Sequence, residues 1–116
     1  MTGENGPEPE AKQEKLTSFD LADLIGQPGA RLLVKTGSKH WYEIGPDKSG
    51  NPNLLYVTSK HDPNNNGYMP IGPAGRLVSL GKDLQYYTNR RVLGKLEGKI
   101  VDTTPIIEMV LFGEVD

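Results

Sequence analysis

His40 and His61 are the only imidazoles in the chain, and there is no cysteine. Thiolate zinc sites, cysteine nucleophiles and disulfide frameworks are therefore excluded. The two histidines fall in different segments and show no H-E-x-x-H spacing, so a metal pair would have to be assembled by the fold. His61 precedes Asp62 and could form an acid–base couple with it, but no G-x-S-x-G elbow presents a nucleophile. Close glycines at Gly72 and Gly75, and at Gly94 and Gly98, lack the Gly-Lys-Ser/Thr ending of a phosphate cradle. The oxygen-rich run Asp62-Pro63-Asn64-Asn65-Asn66-Gly67 matches the first half of a calcium loop, with Asp62, Asn64 and Asn66 as donors and Gly67 at the sharp turn. Its closing glutamate position is Pro73, which leaves one carboxylate for a dication that wants six to eight oxygens. A turn whose side chains cap backbone groups is the expected role, with calcium as the alternative. Asp47-Lys48-Ser49-Gly50-Asn51 echoes the same spacing more faintly. With no positioned nucleophile, base or metal cluster, we expect a non-catalytic protein without a cofactor, and a small enzyme, which would need a cleft gathering His40 or His61 with a carboxylate, is the remote alternative.

Aromatic and cationic side chains are the better signal. Trp41, Tyr42, Tyr56 and Tyr68 are candidates for an apolar partner-binding surface, because Trp and Tyr favour interface centres. Core packing is the competing role, and it is the one expected for Trp41. A second set combines cations with flat rings: Arg76, Lys82, Tyr86, Tyr87, Arg90, Arg91, Lys95 and Lys99. Between residues 76 and 99 six cations face two carboxylates, although the whole chain has a formal net charge of −2. Cations for phosphates and rings for bases are the ingredients of single-strand nucleic-acid binding. The competing role is a solvated strand face answered by the acidic termini. A protein or peptide partner, reached through an edge strand at 68–71 or through exposed aromatics, is the first expectation, and single-stranded nucleic acid is the alternative.

The elements that must position these residues read as β. In 116 residues, 14 glycines and 9 prolines favour many turns over long helices. Residues 1–15 contain none of Leu, Ile, Val, Phe, Tyr or Trp and are expected to be a disordered acidic tail ahead of a single domain at 16–116. A short helix capped by Thr17 or Ser18 is expected to end at Gly26. Period-two alternation starts at Arg31, and a Gly37-Ser38 turn would pair Val34 with Trp41 and Leu33 with Tyr42.

Further strands are expected at 54–59, 77–80, 84–88, 92–101 and 106–112, with Asn89 to Arg91 as a turn. Pro70 and Pro73 place any pairing at 68–75 on an edge. In the run 92–101, Val92, Leu96 and Ile100 would share an inner face with Gly94 and Gly98. The helix-then-strand opening from Asp20 to Ile44 is similar in pattern to several small β-barrel modules, without a family signature. The predicted fold is mainly β: a small, strongly bent barrel or compact sandwich of five to seven strands with one short N-terminal helix. No apolar run is long enough to span a bilayer, and the N-terminus is acidic rather than basic then apolar, so no membrane partner is expected. Cysteine-free composition fits a reducing, cytoplasmic setting.

Overall fold

A computed structural model of the chain describes residues 13–27, 29–46, 53–73, 75–88, 90–93 and 95–113, the side chains of 90–92 and 95–97 excepted. Residues 1–12 of the tail expected at 1–15 and the faint calcium echo at Asp47–Asn51 lie outside the described residues.

Among the described residues eleven strands are present: β1 (Gln13–Leu16), β2 (Ser18–Asp20), β3 (Arg31–Thr36), β4 (Trp41–Pro46), β5 (Leu54–Ser59), β6 (Gly67–Pro70), β7 (Leu77–Ser79), β8 (Asp83–Thr88), β9 (Arg90–Val92), β10 (Lys95–Glu97) and β11 (Ile100–Phe112). Six of them close an antiparallel barrel in the order β11-β3-β4-β5-β6-β8, with β8 returning to β11. The 13-residue β11 makes this closure possible. Its first half pairs with β8 and its second half with β3, with register shifts between Asp102 and Pro105 and between Ile106 and Glu108. Pro105 sits at the bend, where its missing N–H does least harm to the ladder. β1 adds a seventh strand outside the ring, on the second half of β11. Its first three residues, Gln13 to Lys15, belong to the stretch expected to be tail, and backbone pairing orders them despite their exposed side chains.

Alternation fills the interior. Leu32, Val34, Ile44, Leu55, Val57, Met69, Leu84, Ile106 and Met109 are all but fully buried in one cluster. At about 1.5–3 kcal/mol for each fully buried large aliphatic side chain, this cluster is the main favourable contribution to folding. The expected helix is replaced by β2, which pairs with β7, followed by one 3-10 turn at Leu21–Leu24. Ladder pairing claims Ser18 to Asp20, so Asp20 caps the turn rather than Thr17 or Ser18. Its carboxylate accepts from the amides of Ala22 (3.0 Å) and Arg76 (3.1 Å). Leu21 and Leu24 from this turn join the core.

The β3–β4 hairpin differs by one residue from the expected register. Val34 lies opposite Tyr42 and Lys35 opposite Trp41. A three-residue loop, Gly37 to Lys39, closes it. Thr36 N–H donates to the His40 carbonyl, and Lys39 takes a left-handed φ of +69°. A one-residue slip exchanges faces. Tyr42 therefore points inward and Trp41 outward.

Two further expectations are corrected. β6 is an inner stave rather than an edge, paired with β5 along its length and with β8 at Gly67 and Tyr68. The expected single strand at 92–101 folds back on itself. β9 and β10 form a hairpin with Lys95 opposite Val92 and Glu97 opposite Arg90, so Ile100 begins a new strand and is 65% exposed.

Candidate functional site

Directly opposed residues in a sheet share a face, so the registers trace a row around the barrel exterior. Gly45 on β4 faces Tyr56 on β5, Tyr56 faces Tyr68 on β6, Tyr68 faces Tyr87 on β8, and Tyr87 faces Ile100 on β11. At about 4.8 Å per strand, these four steps span roughly 19 Å. The Tyr56 and Tyr68 rings meet edge to face with centroids 5.4 Å apart, and Tyr87 is 47% exposed. At the β4 end, Gly45 leaves room for the Arg31 side chain, whose Cδ lies 2.7 Å from where a Cβ would stand. Arg31, Gly45, Tyr56 and Tyr68 line an open hollow of about 550 Å³.

Charge around the row is mixed but ordered. Glu43 accepts from Arg31 Nε at 3.3 Å and from Lys60 Nζ at 2.8 Å, forming a ridge beside Gly45. At the other end, Arg76 donates from its guanidinium to the Gln85 carbonyl at 2.6 Å. Pro70 stands at the level where the β6–β8 ladder would reach Gln85, and it has no N–H to offer. Burial pulls the Arg76 guanidinium below its ordinary value and neighbouring Tyr87 opposes that shift, yet an arginine remains a cation at neutral pH. Among the described residues no carboxylate pairs with Arg76, Lys82 or Lys99.

The structure thus divides both candidate sets. Tyr42 (6% exposed) and Tyr86 (1%) face the barrel interior and cannot serve a surface, which corrects their assignment to binding. Tyr86 is held there by its hydroxyl, which donates to the Asn65 carbonyl at 2.7 Å. Tyr56 and Tyr68 from the partner-binding set join Tyr87 from the nucleic-acid set in one row. Trp41 is outside the core, with Lys35 Nζ 5.6 Å from its ring centre. It lines a second hollow of about 600 Å³ with Leu33, Val110 and Phe112, beyond the Glu43 ridge. Lys82 is exposed but precedes β8 at the end remote from Tyr87. Arg90, Arg91 and Lys95 belong to the β9–β10 hairpin, and Lys99 is exposed beside Ile100. Sequence reasoning missed Arg31, Gly45 and Ile100. A strand glycine next to two apolar neighbours was the available sign of close approach at Gly45.

Two of the three donors of the calcium alternative, Asp62 and Asn66, are engaged in capping. Asp62 accepts from the Asn64 amide (3.0 Å) and the Asn65 side chain (3.2 Å), while Asn66 accepts from the Ser59 amide (2.8 Å). His40 and His61 come together as stacked rings, centroids 3.6 Å apart, and His61 Nδ1 lies 3.0 Å from Ser59 Oγ. No group of three or more metal-ligating side chains occurs among the described residues, and no described helix is long and apolar enough to cross a membrane.

Fold and face together define a small closed β-barrel with a tyrosine row and flanking arginines on its outer wall. No family model matches the chain, and neither a curated protein nor a solved structure matches it significantly.

Proposed function

We propose that the protein is a non-catalytic binding module that receives single-stranded nucleic acid along the outer row Tyr56–Tyr68–Tyr87. The carrying observation is that these rings, drawn from three adjacent staves, lie in direct register, with Arg31 at one end and Arg76 and Lys99 at the other. Base–aromatic stacking tolerates any sequence and is worth about 1–3 kcal/mol per base, while cations follow the phosphates. The three rings span two strand steps, about 10 Å, within the roughly 19 Å from Gly45 to Ile100, which suits a short site near the low end of the about 4–16 nucleotides that one barrel covers.

Fluorescence anisotropy with a labelled oligothymidine of about 12 nucleotides tests this. Tyr68→Ala or Tyr87→Ala should each weaken binding by about 5- to 150-fold, and affinity should fall steeply as salt rises. Unchanged affinity in both variants, or no binding at low salt, overturns the proposal.

A protein or peptide ligand is the second reading. The hollow at Trp41 supports it, because its apolar floor of Leu33 and Val110 is rimmed by the Lys15–Glu108 and Lys60–Glu43 pairs. Under the first reading Trp41→Ala leaves oligonucleotide affinity intact.

A further inference from the structure

The β9–β10 ribbon is not accounted for by the tyrosine row. β8 passes into β9 across one residue, and β10 into β11 across Gly98 and Lys99, so the ribbon prolongs the ladder at which the row ends. Its root is fastened twice: Thr88 N–H donates to the Lys99 carbonyl (2.8 Å), and Lys99 N–H donates to Thr88 Oγ1 (3.1 Å). Neither ribbon strand pairs with another described strand, and three residues of strand extend about 10 Å. Between Thr88 and Lys99 four cations (Arg90, Arg91, Lys95, Lys99) face one carboxylate, Glu97, giving +3.

At the ribbon's turn stands Leu93, 97% exposed and at a left-handed φ of +52°. Both features run against a leucine. Water disfavours its side chain, and its Cβ disfavours that backbone, whereas Gly or Asn would suit the turn on both counts. A strained backbone that holds an apolar side chain out at the tip points to a role for that side chain in binding. An apolar side chain at the tip of a cationic β-ribbon is suited to entering a base step while the cations hold the flanking phosphates.

We propose that the ribbon takes the duplex side of a single-strand/double-strand junction, with Leu93 wedged at the first base pair and the adjoining single strand laid on Tyr87, Tyr68 and Tyr56. This deepens the reading above and rests on it for the single-stranded half of the ligand.

Three labelled probes test it with the full chain at low salt: a single strand of about 12 nucleotides, a duplex of about 12 base pairs, and the two joined as a junction. The junction should bind at least about fivefold tighter than either part, and 2-aminopurine at its first base pair should brighten as stacking is lost. Leu93→Ser should bring the preference to within about twofold and abolish the brightening while leaving single-strand affinity unchanged. Leu93→Gly, which also removes the backbone strain, should behave the same and control for loss of folding. A wild-type protein without junction preference, or both variants retaining it, overturns the proposal. So does Leu93-dependent binding to anionic vesicles in place of the junction. Single-strand binding without junction preference sinks the ribbon and spares the tyrosine row. A Leu93-dependent junction preference that Tyr68→Ala and Tyr87→Ala leave untouched does the reverse.

Discussion

Gly67 shows how a single missing side chain decides whether the barrel closes. It lies opposite Thr88 where β6 meets β8, and a Cβ there would collide with the Tyr87 carbonyl. The same approach sets Tyr68 beside Tyr87, so closure and the binding row depend on one contact. Backbone cannot yield as a flexible side chain can. Gly67→Ala should therefore destabilise the fold by more than about 3 kcal/mol in urea unfolding, beyond the usual range for a point substitution. Gly72→Ala, with nothing within 4 Å of the added methyl, serves as the control and should stay within about 0.5 kcal/mol. Equal stability of the two variants would show that β6 and β8 are not in close register.

At the scale of elements, alternation was legible and register was not. The strand at Leu54–Ser59 coincides with β5, and the strand expected at 84–88 differs from β8 by only its first residue. Both combine period-two burial with β-branched or aromatic residues. Adjacent tyrosines at 86 and 87 implied that one points in and one out. Which is which depends on pairing with β6 and β11, and those partners are distant in sequence. The Gly37-Ser38 turn misled for a local reason: the loop takes one more residue, and Lys39 rather than a glycine carries the positive φ. That extra residue moves Trp41 to the surface and Tyr42 to the core. The ribbon was missed in the same way, since alternation continues through both arms and Leu93 gives no turn signal. The tyrosine row was partly visible, because all three rings were singled out as candidates, but their union required the sheet. Lys39→Gly should stabilise the β3–β4 hairpin by about 1 kcal/mol, because the left-handed conformation ceases to be penalised. A raised urea midpoint with unchanged m-value would register it. No gain would mean that Lys39 is not held at positive φ in solution.

The whole molecule places two phenols inside the ring, and this makes alkaline stability a test of the architecture. Burial, with smaller contributions from Tyr42 and Asp62, pushes the Tyr86 hydroxyl well above the ordinary tyrosine value, and burial raises Tyr42 as well. The two rings meet edge to face with centroids 6.0 Å apart, and burial favours the neutral form of both while the barrel is closed. In the unfolded chain they ionise near pH 10. Below that pH folded and unfolded states carry the same phenolic protons, and stability is flat with respect to them. As pH rises past about 10 the unfolded state loses these protons first, and stability falls by up to about 1.4 kcal/mol per pH unit for each tyrosine. Urea unfolding followed from pH 8 to 12 should show this decline. Tyr86→Phe should start about 1 kcal/mol lower at neutral pH, having lost the bond to the Asn65 carbonyl, and then fall less steeply. Parallel pH profiles for the two proteins would place Tyr86 outside the barrel. Alternation along β8 would then turn Tyr87 inward, and the Tyr68–Tyr87 pairing from which the outer row is built would be lost.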